Sequence, residues 1–320
     1  MGNESDSVGN EVELYRRLRP RRWKDLIGQE AVVKALAEKV VSGTVPHAIL
    51  LVGPSGTGKT TVARILKAKM GCSDHDFAEI NCAADGSIDT VRDIRSRMNL
   101  APVAGACRMW LLDEFQSLSR AGFAQQAMLK MLEDTPSHVY FLLAATDDSK
   151  IIPTIKTRTT IYKFAALPVR KIRELLTSVC GKESATLGSI GSGVLDKIAE
   201  IAEGSARKAL VVLHQISGLG TDAERMEAVE KADVAKQAID LARCLMKPGT
   251  KWKDAAAILA ACDEDPEAVR RLVLGYARSV LLKNSQPKAY AVICAFEGNF
   301  FDSGAAGLAR ACWEVLSDSR

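Results

Sequence analysis

The stretch "AILLVGPSGTGKT", Ala48 to Thr60, limits the possible folds more than any other part of this sequence. Five consecutive apolar residues leave no wet face, so "AILLV" suits a strand covered on both sides. It runs into "GPSGTGKT", Gly53 to Thr60, which fits G-x-x-x-x-G-K-[ST]. "TTVARILKAKM" then has helical spacing. Strand, glycine loop and helix in that order are the context of a phosphate loop. Glycines let backbone N–H groups curl around an anion, and the helix N-terminus adds partial positive charge. The candidate contacts are Gly53, Pro54, Ser55, Gly56, Thr57, Gly58, Lys59, Thr60 and Thr61. Lys59 would reach the β- and γ-phosphates, and the Thr60 hydroxyl would ligate Mg²⁺.

The alternation continues. "FAEINC", "RMWLLD" and "VYFLLAA" read as strands, and "IDTVRDIRSRMN" and "GFAQQAMLKMLED" as helices. This predicts an α/β core with a parallel sheet between helices. "RMWLLDEF" delivers Asp113 and Glu114 to a strand's C-terminal end, where open α/β sheets bind ligands. Asp113 is the candidate Mg²⁺ ligand. Glu114 is the candidate group that polarises an attacking water. An acidic pair capping a loop is the plain alternative. Behind a phosphate loop, the pair implies binding and hydrolysis of a nucleoside triphosphate.

Beyond "ALP" at 166–168 the strand signals fade. "VRKIRELLTSVC", "GSGVLDKIAEIAE" and "GSARKALVVLHQISGL" read as helices, with Ser205 as an N-cap. Further helices follow, broken at "MKPGTKW", "DEDPEA" and "KNSQPKA". A chain of 320 residues exceeds one compact core. The expected units are a disordered tail (1–13), an α/β nucleotide-binding core (14–168), a small helical lid (169–235) and a helical collar for oligomerisation (236–320). Net charge is +4, which permits a nucleic-acid partner without demanding one. The eight Cys form no C-x-x-C pair and only four His accompany them, so buried reduced thiols are expected, not zinc ligands or a disulfide framework. No apolar run approaches the roughly 20 residues that span a bilayer.

The order of the remaining pieces narrows the class. "RRLRPRRWKDLIGQE" precedes the phosphate loop, and "INCAADGSIDTVRDI" lies between the two nucleotide motifs. "DEFQSLSRAGFAQQAMLKMLEDTPSHVYFLLAATD", "IIPTIKTRTT" and "GSARKAL" follow. The series resembles the clamp-loader branch of the AAA+ ATPases. It looks most like the bacterial DNA polymerase III tau/gamma subunits, with replication factor C small subunits next. The resemblance is dense from about residue 14 to 215. It implies ATP and Mg²⁺ as cofactors. It implies a five-subunit ring with other loader subunits, a sliding clamp and primer–template DNA as partners, and no membrane. It also implies a place in the cytoplasm near the nucleoid, or in a host's cytoplasm for a phage-encoded loader.

Roles follow from the resemblance residue by residue. Arg19, Pro20, Leu26 and Ile27 match the segment that wraps the adenine. Thr146 in "LLAATD" matches the first sensor, near the γ-phosphate and the attacking water. Arg207 in "GSARKAL" matches the second sensor, an Arg on the lid that touches the γ-phosphate. Arg158 in "TIKTRTT" matches the Arg of the family's Ser-Arg-Cys segment, which reaches the neighbouring subunit's ATP. Two departures stand out. "KAKMGCSDHDFAEINC" leaves no room for the four-Cys zinc module of tau/gamma proteins, as in factor C small subunits. The finger segment reads Thr157-Arg158-Thr159, without the Cys. The chain is also shorter than tau/gamma proteins usually are, which fits a phage-encoded loader, a factor-C-like small subunit or a shortened gamma form.

For DNA, the resemblance points to "SIDTVRDIRSRMN". Ser87 is an N-cap signal, and Arg92 and Arg95 share a helix face, with Arg97 turned well away from Arg92. These three are the candidate phosphate contacts, reading charge and not sequence. An ion pair of Arg92 with Asp89 or Glu79 is the plain alternative. Lys130 and Arg120 are weaker candidates. "RRLRPRRWK", with six basic residues in nine, reads as solvated charge beside the nucleotide. The rival functions are another AAA+ DNA motor, such as a branch-migration helicase, and a scaffold subunit that does not hydrolyse ATP. Intact Lys59, Asp113 and Glu114 argue against the scaffold.

Overall fold

The computed structural model describes residues 13–118, 123–260, 262 and 265–317. Arg120, part of the "QSLSRAGF" segment and all but the last residue of the expected tail lie outside them. The chain divides after Gly218 into two compact units.

In the first unit, five strands among the described residues form one parallel sheet: β1 (Ala48–Val52), β2 (Phe77–Asn81), β3 (Arg108–Asp113), β4 (Val139–Ala145) and β5 (Thr160–Lys163). Their spatial order is β2-β3-β4-β1-β5. β1 therefore lies inside, with Leu50 opposite Leu143 of β4 on one side and Ile161 of β5 on the other. Strand side chains alternate faces. Leu50 and Val52 join Trp110, Phe141, Val91, Ile94 and Met128 on one side of the sheet. Ile49 and Leu51 join Leu36, Val62, Leu66 and Met109 on the other. Both faces are apolar because helices cover both, and each fully buried Leu or Ile contributes about 1.5–3 kcal/mol.

The covering helices follow the sequence pattern. Lys59–Lys69 buries Val62, Ala63, Ile65 and Leu66. Ile88–Met98 buries only Val91, Ile94 and Met98, one narrow stripe, and the Ser87 hydroxyl accepts from the Thr90 N–H to cap it. β5 is the strand that sequence patterning does not single out. "TIYK" is mostly exposed and polar because it is an edge strand with one partner.

Between the helix Lys59–Lys69 and β2, a carboxylate closes the turn. Asp76, 2% exposed, accepts from the N–H groups of Val103 (2.6 Å), Ala104 (3.0 Å) and Gly105 (2.8 Å) and from the Ser73 hydroxyl (2.6 Å). Burial alone would push its pKa up. The hydrogen bonds outweigh that and hold the carboxyl well below the usual carboxylate range.

The helices Val169–Lys182, Ser192–Ile201 and Ala206–Ile216 pack on one another as a small bundle after the sheet. The link to them is gripped from both ends. Gln29 donates to the Ala165 carbonyl (2.7 Å) and accepts from the Ala165 N–H (3.2 Å), while the Leu167 N–H donates to Gly204 O (3.0 Å).

The second unit is helical: Asp222–Met246, Trp252–Ala260, Pro266–Asn284, Pro287–Ala295 and Gly304–Ser317. Pro266 and Pro287 start their helices, where a missing N–H costs nothing. Thr221 and Glu224 form a reciprocal capping box on the 25-residue helix. Residue 236, where the sequence reading divides lid from collar, lies inside this helix. Leu241, Leu245, Val273, Val292, Phe296 and Leu308 centre the core. Within it Glu267 is 2% exposed, accepting from Arg270, Arg271 and the Phe300 N–H (3.0 Å). The expectation of buried thiols holds for Cys72, Cys82, Cys107 and Cys312, but Cys294 is exposed because its helix turns that face to solvent.

Candidate active site

The phosphate loop leaves β1 at Gly53 and enters the helix at Lys59. Gly58, the N-cap, has φ 103°, a backbone open to glycine and strained for other residues. Gly56 has φ 76°, and a Cβ there would lie 2.0 Å from the Ser205 hydroxyl. The loop thus touches the first turn of the helix Ala206–Ile216.

Lys59 is 6% exposed, and its ammonium donates to the carbonyls of Gly53 (2.6 Å) and Pro54 (2.9 Å). Burial pushes its pKa down; Glu114 and Asp113 oppose that, and Arg207 adds to it. A buried ammonium held by two neutral carbonyls is an anion receptor, since a phosphate would replace them with full charge. The Thr57 hydroxyl donates to Pro54 O (2.8 Å) and shapes the loop.

Asp113 ends β3, and its carboxylate accepts from the Thr60 hydroxyl (3.0 Å) and the Glu114 N–H (3.0 Å). Thr60 and Asp113 offer hard oxygen donors side by side, which suits Mg²⁺. Glu114 turns left-handed (φ 51°, ψ 42°) to start the short 3₁₀ turn Phe115–Ser117. Fully buried Phe115 pins that turn. A non-glycine residue in this conformation is strained, and such strain concentrates at functional sites.

A cleft of about 730 Å³ opens over the loop. It is lined by Ser55 to Thr61, by Asp113 and Glu114, by Arg19, Pro20, Leu26 and Ile27 from the N-terminal segment, and by Arg207. Arg19 and Arg207 bring positive charge to it. Burial first, then Arg64 and Arg207, lower the Arg19 pKa. The Arg207 guanidinium stacks 5.6 Å from the Tyr15 ring centroid, a cation–π contact sequence reading did not foresee. Gly53 and Pro54 stand behind this lining, holding Lys59 through their carbonyls.

Thr146, just after β4, approaches Glu114 at 3.4 Å between Oγ1 and Oε2. Two glutamines that sequence reading passed over organise this region. Gln116, 9% exposed, bridges Glu114 and Thr146. Gln125, 3% exposed, donates to Leu118 O and Lys150 O and accepts from the Ile152 N–H (3.0 Å). A polar residue at an apolar position of its helix was the available signal for Gln125.

The remaining candidates stand apart from the cleft. Arg158 lies between the short helix Pro153–Thr157 and β5. Its guanidinium is paired with Glu133 (Nε to Oε1, 2.6 Å) and donates to Thr154 O (3.1 Å). Arg92 pairs with Asp89 (2.8 Å) and Arg97 with Asp93 (2.9 Å), while Arg95 is exposed on the same helix. Lys130 lies on the exposed face of Phe123–Glu133.

A parallel β2-β3-β4-β1-β5 sheet, with a phosphate loop after its inner strand and a helical bundle over the cleft, defines an AAA+ type of P-loop ATPase fold. The solved structures agree on the fold. The Thermotoga maritima RuvB Holliday junction branch migration motor superposes with TM-score 0.56 at 19% identity, over 76% of this chain and 85% of that one. Its K64R mutant gives the same score. By sequence, the chain is similar to the DNA polymerase III gamma/tau subunits. It is 31% identical to the Mycobacterium tuberculosis gamma/tau subunit over 315 residues, covering 87% of this chain and 52% of that protein. It is 33% identical to the Escherichia coli tau subunit over 237 residues, 68% of this chain and 36% of that protein. The chain therefore spans about half the length, or less, of these relatives. Residues 81–168 match the family described as DNA polymerase III, delta subunit, and residues 26–88 match the sigma-54 interaction domain.

Proposed function

We propose that this chain is an ATPase subunit of a sliding-clamp loader. The likeness to gamma/tau subunits across 87% of the chain carries that reading, and the cleft gives it chemistry. Lys59, the loop N–H groups and Arg207 bind the phosphates. Arg19, Pro20, Leu26 and Ile27 enclose the base. Thr60 and Asp113 hold Mg²⁺, which supplies charge neutralisation on the phosphates when bound. Glu114 and Thr146 orient the attacking water. The bundle over 169–218 acts as the lid, and the second unit as a collar.

ATP binding then closes a ring, five subunits in the simplest form, around an open clamp and a primer–template junction. Hydrolysis releases both. Arg158 acts on the neighbouring subunit's ATP, exchanging Glu133 for a phosphate. Arg92, Arg95 and Arg97 face the DNA backbone. Arg92 and Arg97 exchange exposed ion pairs worth about 0–1 kcal/mol each, so phosphates can compete for them. The setting is the cytoplasm. Among the described residues, no helix is long and apolar enough to cross a membrane. The likeness to RuvB is one of fold and does not select a helicase.

The test is ATP hydrolysis with and without primed DNA and a sliding clamp, alongside native mass. Stimulation by both ligands and a five-subunit mass support loading. A hexamer whose hydrolysis ignores the clamp overturns it.

A further inference from the structure

The Gln116 side-chain amide, 9% exposed, faces the Glu114 carboxylate, and its bonds form a closed set. Its Nε2 group has two hydrogens. One goes to Glu114 Oε2 and the other to Thr146 Oγ1 (2.7 Å). Its Oε1 accepts from the Thr146 backbone N–H (3.2 Å). The left-handed Glu114 and the 3₁₀ turn behind it bend residue 116 back far enough to make these contacts.

Donor and acceptor counting has a consequence. A hydroxyl has one hydrogen. Thr146 Oγ1 accepts from Gln116, so its own hydrogen is free to be donated, and here it faces Glu114 Oε2 at 3.4 Å. Both bonds to the Glu114 carboxylate fall on Oε2. That makes the two carboxylate oxygens unequal.

We propose that Gln116 is a positioning residue that assigns these roles: it fixes Glu114 through Oε2, leaves Oε1 for the attacking water, and holds the Thr146 hydroxyl as a donor. This inference rests on the ATPase reading of the site and deepens it. Gln116 does not line the cleft; it acts through Glu114 and Thr146. A carboxamide is required. An apolar side chain of the same size makes none of the bonds. A carboxylate there accepts from the Thr146 N–H but has no hydrogen to give and repels Glu114.

Three variants and one spectroscopic measurement test this. Gln116→Met keeps the volume and the packing. It is expected to lower kcat at least about tenfold while the Kd for Mg·ATP stays within about twofold, since ground-state binding is untouched. Gln116→Glu is expected to fall further, again in kcat. Gln116→Met at wild-type kcat overturns the proposal, as does a loss matched by equal loss of ATP affinity. The second arm needs no hydrolysis. In the ATP-free chain, the Gln116 side-chain NH₂ protons are expected to exchange slowly with solvent and to give two resolved signals by NMR. Thr146→Val is expected to speed that exchange at least about tenfold. Fast exchange in the wild type overturns the Gln116 bonding proposed here. A wild-type chain that shows the protected NH₂ group but neither binds nor hydrolyses ATP would sink the ATPase reading and leave the Gln116 bonding standing.

Discussion

At the scale of single residues, much of the chemistry was legible because it is local. The phosphate loop places nine candidates in nine consecutive positions, Gly53 to Thr61, and Asp113–Glu114 end an apolar strand. Seven of those nine line one cleft with the acidic pair. The partners of these residues were not legible, because they lie far along the chain. Arg158 meets Glu133 across 25 positions, and Gln116 meets Thr146 across 30. Nothing in periodicity reports such a pairing. Asp76 is a similar case: "CSDHD" reads as a polar turn, yet its last carboxylate is buried under three N–H groups. Asp76→Ala would leave those donors unsatisfied. Unfolding by urea is expected to show the first unit destabilised by about 2–4 kcal/mol, with Asp76→Asn losing less.

At the scale of elements, the buried strands read cleanly and the edges did not. "AILLV" and "VYFLLAA" are apolar throughout because the sheet is covered on both faces. β5 is polar, having one partner and an open side, so patterning does not single it out. The cap signals were reliable because they are short-range. The Ser205 hydroxyl accepts from the Lys208 N–H at 3.2 Å. Ser205→Ala is expected to cost about 1 kcal/mol, measured by thermal unfolding. In the second unit, the helix Pro266–Asn284 carries a pH-sensitive tie. The Arg270 bonds first, then the Phe300 N–H and Arg271, hold the Glu267 pKa at about 2, against an ordinary value of 4.5. A lowered carboxyl pKa adds stability that is complete above the unfolded value. That stability is lost as pH falls from about 4.5 toward about 2. Acid titration followed by circular dichroism should show this loss in the wild type. Glu267→Gln should flatten it over that window.

At the scale of the whole molecule, the fold class followed from alternating strands and helices, and the break in packing after Gly218 did not. "SGLGTDAERMEAV" carries a turn but no sign of which side the next helix packs on. In the proposed reading, function at this scale rests on chains acting together. Arg158→Ala is expected to bind ATP normally and hydrolyse it at least about tenfold more slowly. Lys59→Ala is expected to lose ATP binding. Mixing the two variants should restore part of the hydrolysis, because one supplies the finger and the other an intact site. If a mixture is no better than its parts, the finger does not act between chains.

The two outer strands add a constraint on how any such assembly is built. β2 and β5 have five and four residues, and they carry Glu79 and Lys163. Short, charged borders are poor templates for another chain's backbone. Joining of copies by extending the sheet from molecule to molecule is therefore disfavoured. Neighbours have to meet through side chains on helices and loops, which can be let go and re-formed. The loader proposed above would have to open repeatedly, which contacts of that kind allow and a shared sheet would prevent.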